Sequence, residues 1–461
     1  MAAGVDDALR HPIDPRVEAD HRAAVDWLTH QRRNGRPRDP RVAAALLRTL
    51  GAPSPPRVLH VVGTNGKGTV THLLAAMAQA EGLRTGRFTS PHVEDLRERV
   101  AVDGVPITPL EVTAFVARAR ALGVAGIGFF EWTLGLAVDA FHRHGVDLAV
   151  VEAGVGARAD ATMALPGVVG TVLTNVDLDH VETLGPTLLD IARDKSAVAR
   201  RGVPLVTGAR GEALALVLRT AADVGAPVWI SDEAQTLARW PAGGPQLDED
   251  WPPTRVENAR AALTLGRVLG WSEASLARGL AAPPPPARFE RFTLRVGDRT
   301  VPAVLDGAHD PTATARLAVA LPAGYTLVFA NLARKRTLDS LEPLRARAGS
   351  LWLTSAEPGE EPPAPPAGDG PRAHVVADLD DALEAAAYDA AARDATLVVA
   401  GSLHLAGHAR PWLRRRATAR PVAQNGDASA LDASASASAL DATSDPGAML
   451  TGRWDASVSS A

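Results

Sequence analysis

Short apolar runs alternate with amphipathic stretches along most of this chain. Arg57–Val62 is an apolar run of strand length that ends at Gly63. Lys67–Glu81 follows, with Leu73, Leu74 and Met77 on one helical face and Gly82 as its stop. The same reading predicts strands at Leu148–Glu152, Val168–Thr174, Val203–Val206 and Val228–Ile230. It predicts helices at Leu110–Leu122, Glu131–His144, Thr187–Arg201, Gly211–Val224 and Val256–Leu269. Ahead of the first strand, residues 18–50 space Leu, Val and Ala as two short helices around Gly35–Pro40. Strands this apolar have no wet face, and the helices between them are long enough to cross over. The pattern therefore predicts a doubly wound α/β fold with a parallel sheet.

The run Pro283–Pro286 cannot continue a helix and favours an extended spacer. It divides the chain into an expected N-terminal domain of residues 1–282, a linker at 283–287 and a smaller C-terminal domain of residues 288–422. The second domain repeats the alternation. Strands are predicted at Val301–Leu305, Tyr325–Ala330, Ser350–Thr354, Ala373–Val376 and Thr396–Ala400, and helices at Pro311–Leu321 and Leu379–Ala392. Glu357–Pro371 is rich in Pro and Gly and reads as a surface loop. Residues 423–461 are Ala, Ser and Asp with few large apolar side chains, and are expected to be disordered.

Composition narrows the function classes. At 461 residues the chain exceeds one ordinary core. Aromatics are only 4%, so the cores must be built from Ala, Val and Leu. A net charge of -5 argues against a nucleic-acid surface as the main business. Without cysteine there is no disulfide, thiolate metal site or cysteine nucleophile. Met1–Pro15 lacks the apolar core of a secretory signal, and no apolar run reaches membrane-spanning length. The expectation is a cytoplasmic protein acting on small molecules, with no membrane or nucleic-acid partner.

Gly63-Thr64-Asn65-Gly66-Lys67-Gly68-Thr69 sits at a strand-to-helix junction. Glycines there let backbone amides face a phosphate, the helix start adds its dipole, Lys67 adds a point charge, and the Thr69 hydroxyl can serve Mg2+. The loop is shorter before its lysine than the common G-x-x-x-x-G-K-[ST] pattern and has Gly68 between lysine and hydroxyl. A plain Gly-rich turn is the alternative reading. Glu152, ending a strand, is an acid at the sheet edge where ligands of open α/β sheets gather.

G-T-N-G-K-G-[ST] resembles the nucleotide loop of the folylpolyglutamate synthase/dihydrofolate synthase family, within the Mur ligase superfamily. The resemblance continues through Thr89-Ser90-Pro91-His92 with Arg97-Glu98-Arg99, through Glu152 and Asp160-Ala161-Thr162, and through Thr174-Asn175 with Asp179-His180. In the C-terminal part it continues through Arg288-Phe289-Glu290, Asp306-Gly307-Ala308-His309 and Gly401-Ser402-Leu403. It implies an ATP-dependent ligase, normally monomeric, that joins L-glutamate to a pteroate or folate carboxylate through an acyl phosphate. By the same resemblance, Ser90 and Glu152 join Thr69 at a first Mg2+, and His180 serves a second, supported by a carbamylated Lys195. Asn258 belongs to the adenine site, Arg288 reaches phosphate, Asp306 contacts the ribose and His309 lies near the γ-phosphate. Read without the resemblance, Lys195 is a solvated helix lysine, and a lone histidine such as His180 is more often structural than a ligand.

The chain departs from the family pattern at Ala157, Met163, Asp310 and Arg334–Arg336. Ala157, Asp310 and Arg334–Arg336 keep open a non-catalytic nucleotide-binding relative; a Mur-type ligase with another carboxylate substrate is a further alternative. A GTPase would need N-K-x-D, and Asn175 is followed by Val176.

Overall fold

The computed structural model describes residues 14–32, 37–231, 251–331, 337–357, 359–368 and 370–418. The expectations for Arg334–Arg336 and residues 423–461 lie outside the described residues.

The first sheet has eight strands: β1 (Arg57–Val62), β2 (Thr85–Phe88), β3 (Val100–Val102), β4 (Val105–Pro106), β5 (Leu148–Glu152), β6 (Val168–Leu173), β7 (Leu205–Thr207) and β8 (Val228–Ile230). Their spatial order is β4-β3-β2-β5-β1-β6-β7-β8. The six strands from β2 to β8 run parallel, and β3 and β4 add an antiparallel edge. β1 is fully sandwiched, pairing Val61 with Glu152 on one side and Val62 with Leu173 on the other. Its apolar run is the consequence of that position. Strand order reverses across β1, which puts a crevice at its carboxyl end.

Helices cover both faces. Lys67–Ala80 packs on the sheet through Leu73, Leu74 and Met77, all buried. The helices Pro253–Val268 and Glu273–Leu280 lie against it, close enough that a Cβ on Gly279 would fall 2.5 Å from Met77 N. On the other face, Phe129–Arg143 buries Trp132 and Phe141.

The second sheet has six strands: β9 (Glu290–Val296), β10 (Arg299–Leu305), β11 (Thr326–Phe329), β12 (Ser350–Leu353), β13 (Ala373–Val375) and β14 (Leu397–Ala400), in the order β13-β12-β11-β14-β10-β9. All pairs are parallel except the β9–β10 hairpin. Each sheet has its own apolar clusters, built mainly from Ala, Val and Leu as the composition required.

Two differences bear on the site. The predicted helix Thr187–Arg201 runs only from Leu188 to Ser196. Thr187 caps it in a reciprocal box with Asp190, and Ala197 closes it. The predicted elements also omit β9, which opens directly after Arg288 and Phe289.

Candidate active site

The Gly63–Thr69 loop connects β1 to the helix Lys67–Ala80, and neighbouring chain zips it in place. Thr64 N donates to the Asn175 carbonyl at 3.1 Å, and Asn65 N to Asn175 Oδ1 at 2.9 Å. Thr174 Oγ1 donates to the Asn65 carbonyl at 2.6 Å. Two glycines are required by contact. A Cβ on Gly63 would lie 1.8 Å from Thr174 Oγ1, and one on Gly66, whose φ is +81°, would lie 2.0 Å from Asn258 Oδ1. Asn258, on the helix Pro253–Val268, therefore sits directly against the loop.

Two lysines meet at one carbonyl. Lys67 Nζ donates to the Gly63 and Thr64 carbonyls at 3.1 and 3.0 Å, and Lys195 Nζ to the Gly63 carbonyl at 2.9 Å. Lys195 is buried, only 2% exposed. Burial, reinforced by the positive charge of Lys67, brings its ammonium down to about 7, against the pull of Asp179, Asp194 and Asp160. The plain reading of Lys195 as a solvated helix lysine is thus corrected. It shares the buried face of its helix with Ile191 and Ala192 and reaches the loop at the Gly63 carbonyl.

Glu152 ends β5 buried, with Oε2 accepting from Ser90 N at 3.0 Å and facing Gly68, whose Cβ would lie 3.5 Å away. Burial raises its carboxyl above the ordinary glutamate range. Lys67, the Ser90 amide, Arg288 and Arg99 oppose that rise. Arg288 lies just before β9 of the second sheet, so charge from both sheets converges on Glu152.

Ser90 opens a loop with a cis peptide before Pro91. Glu98 holds the far end of this loop, its carboxylate accepting from the amides of Val93, Glu94 and Asp95 at 2.8 to 2.9 Å. Arg99 Nε donates to His92 Nδ1 at 2.8 Å, and burial brings that imidazole down to about 4.

The carboxyl end of β10 carries Asp306, whose carboxylate accepts from Phe289 N at 2.7 Å and Ala308 N at 2.8 Å. Burial raises its carboxyl, and Arg288 opposes the rise. His309 Nδ1 lies 2.9 Å from the Gly307 carbonyl. Its own carbonyl accepts from Ser340 Oγ at 3.1 Å. Asp310 caps the helix Pro311–Ala320, with Oδ1 accepting from Ala313 N at 2.8 Å.

His180 is placed differently. It is 47% exposed in its side chain, has φ of +51°, and lies 3.4 Å from Asp179 Oδ2 at the start of a four-residue helix. Among the described residues no three His, Asp or Glu side chains form a ready-made metal cage. Thr69 is partly buried in the third position of its helix.

The Ala157 departure is benign for the backbone. The left-handed residue is its neighbour Gly156, at φ +70°, while Ala157 N donates to Asp194 Oδ1 at 2.7 Å. Met163 packs on the core beside β6 and β7. Asp194, next to Lys195 in sequence, was not singled out from sequence. Its signal was a second acid beside the lysine.

No protein-family model matches the chain. It is 30% identical over 413 residues to the folylpolyglutamate synthase of Lacticaseibacillus casei, covering 81% of this chain and 94% of that protein. It is 37% identical over 289 residues to a probable bifunctional folylpolyglutamate synthase/dihydropteroate synthase of Haloferax volcanii, covering 57% of this chain but only 34% of that protein. The chain thus spans about a third of such bifunctional relatives. The solved apo structure of the L. casei folylpolyglutamate synthase matches with a TM-score of 0.70 and 28% identity, over 86% of this chain and 99% of that one.

Fold and site define a two-domain α/β protein with a phosphate-type loop at the sheet's switch point and charged groups converging on it from the second sheet. The chain belongs to the folylpolyglutamate synthase/dihydrofolate synthase family.

Proposed function

We propose that this chain is an ATP-dependent ligase that joins L-glutamate to the carboxylate of dihydropteroate, of a reduced folate, or of both. The convergence of Lys67, Glu152 and Arg288 at one loop carries this reading. A related folylpolyglutamate synthase structure, 27% identical, is a complex with AMPPCP.

A carboxylate resists attack by an amine because oxide is a poor leaving group. Transfer of the γ-phosphoryl group of ATP to it creates an acyl phosphate, with ADP as the first product. The neutral glutamate amine then attacks the acyl carbon, the amide forms as the nitrogen gives up a proton to solvent, and inorganic phosphate leaves with the electron pair of the broken C–O bond. The chain's work is positioning and charge neutralisation. The amides of Gly63–Thr69 and Lys67 hold phosphate oxygens, Asn258 borders the base side, Asp306 the ribose, and Arg288 and His309 approach the phosphates from the second sheet.

A divalent cation fits the donor set. Burial raises the Glu152 carboxyl, and a cation beside it would favour the charged form. Thr69, Ser90 and Glu152 would hold Mg2+, which neutralises phosphate charge when bound. This ion keeps waters and substrate phosphates among its ligands, so one or two carboxylates suffice. His180 and a carbamylated Lys195 would serve a second Mg2+. Carbamylation joins the neutral Lys195 amine to CO2 and releases one proton, and an amine held near 7 is partly neutral at physiological pH. The domain boundary at 283–287 belongs to the same reading, supported by β9 opening the second sheet at Glu290. So do monomeric action, since one chain supplies both sides of the site, and a cytoplasmic location with its ATP supply.

The test is phosphate release from MgATP and L-glutamate by the full chain, with dihydropteroate or reduced folates as acceptor. Release dependent on both glutamate and one of these acceptors is the expected result. Nucleotide binding without release for either acceptor would sink the folate reading.

A further inference from the structure

The loop that carries Ser90 touches both sheets. Its near end is tied to Glu152 through Ser90 N at 3.0 Å. Its far end docks on the second domain. Val93 packs on the core beneath β9 and β10, and Gly407 leaves room for it, since a Cβ there would lie 2.2 Å from the Val93 carbonyl oxygen.

Next to that contact lies a nearly dry ionic cluster. Arg410, on the helix Leu403–Arg416, is 4% exposed in its side chain. Its Nη1 donates to Glu94 Oε1 at 2.5 Å, across the two sheets. Its Nε and Nη2 grip Glu290 at 2.7 Å each. Arg414 Nη1 adds a second contact to Glu94 at 3.1 Å, so two cations meet two anions. Such a buried cluster is weak evidence for stability, because desolvation consumes most of the attraction. Its use lies in fixing geometry.

What it fixes is the segment holding Arg288. Glu290 Oε2 also accepts from Ala287 N at 3.0 Å, while Gly307 N donates to the Ala287 carbonyl at 2.9 Å. Ala287 and Phe289, the two neighbours of Arg288, both adopt left-handed backbone, at φ +53° and +50°. Neither is glycine, so this conformation is strained and persists only where its surroundings over-determine it. Glu290 on one side and Asp306, through Phe289 N, on the other supply that determination.

We infer that Arg410 is a positioning residue, which couples docking of the Ser90–Glu94 loop on the second domain to the strained presentation of Arg288. The inference rests on the nucleotide-binding reading above. Glu94 is the arm that reports domain contact, Glu290 the arm that sets the linker, and Arg410 joins them.

The test is a double-mutant cycle on AMPPCP affinity, read by calorimetric titration with Mg2+ on the full chain. Glu94→Gln removes the inter-sheet charge and keeps the shape. Arg288→Ala removes the group acted upon. Glu94→Gln is expected to weaken binding roughly tenfold, as expected for misplacing one charged contact, and Arg288→Ala by at least as much. The double variant should bind no more weakly than Arg288→Ala alone. Arg410→Lys, which keeps the charge but cannot fork, should reproduce the Glu94→Gln loss. Additive losses, or Glu94→Gln binding like the unsubstituted chain, would overturn the coupling. Absence of binding by the unsubstituted chain would instead overturn the nucleotide reading, and the coupling with it.

Discussion

The amine of Lys195 lies 2.9 Å from the Gly63 carbonyl, with Lys67 on the same oxygen at 3.1 Å. Two ammonium groups sharing one acceptor repel each other, and the buried one yields its proton first. With Lys195 near 7, roughly a tenth of it is neutral at pH 6 and roughly nine-tenths at pH 8. The neutral amine is the form that attacks CO2, so carbamate should accumulate as pH rises through about 7. Carbon-13 NMR with labelled bicarbonate would show a carbamate resonance growing between pH 6 and 8 and missing in Lys195→Ala. A resonance independent of pH, or present in the variant, contradicts the assignment. The sign for stability follows from the same shift. The folded chain disfavours the ammonium, so stability rises with pH from about 7 toward the ordinary lysine range. From sequence alone Lys195 looked like a surface residue. The local signal was its place on the stripe of Ile191 and Ala192, four and three residues before it, which the helix buries.

At the scale of elements, the close approach of Glu273–Leu280 to Lys67–Ala80 ties the loop's helix to its neighbour. At Gly279 two opposed effects can be weighed. Alanine gains up to about 1 kcal/mol of helix propensity. Its Cβ, however, would lie 2.5 Å from Met77 N and Cα, backbone atoms that no rotamer change can move. Overpacking of this kind costs about 1–3 kcal/mol. Gly279→Ala should therefore lower the urea midpoint, and an unchanged or higher midpoint would show that the helices slide apart freely. The parallel strands were legible because burial on both faces leaves continuous apolar runs. β2 was not, since Thr85-Gly86-Arg87-Phe88 buries an arginine mid-strand. β9 was not either, because it is an edge strand, burying Leu294 and Val296 while exposing Arg291 and Arg295. The helix Leu403–Arg416 was hidden by Pro411 inside it, and the ionic cluster with it. The available signal was Arg410 between Ala406 and Leu413 on one buried stripe. The Gly63–Thr69 loop was legible as a strand-to-helix junction because its glycines and the flanking elements are local in sequence. The Arg288 side of the site depends on contacts between residues more than a hundred positions apart.

For the molecule as a whole, each sheet keeps its own apolar clusters. Besides the Val93–Gly407 docking, ionic contacts between the sheets include the buried Glu94–Arg410 pair and Glu257–Arg316 at 3.2 Å. The second pair is more than a third exposed on both sides and contributes at most about 1 kcal/mol, less in salt. The buried pair nearly cancels against its own desolvation. Cooperativity between domains therefore has little to sustain it, and the described residues should melt as two units rather than one. On the proposed function, a nucleotide held by Lys67 on one sheet and Arg288 on the other would change this, because it would bind only when both are folded. At a hundredfold excess over its dissociation constant, a ligand adds about 2.7 kcal/mol to the state that binds it. Differential scanning calorimetry should show two overlapping transitions without nucleotide, which AMPPCP with Mg2+ shifts upward and merges. Raising salt should separate the transitions further in the free chain, since it screens the exposed pair, but should leave the merged peak single. A single two-state transition in the free chain would mean the sheets are coupled without ligand, and transitions that stay apart when nucleotide is saturating would mean the site is completed within one sheet.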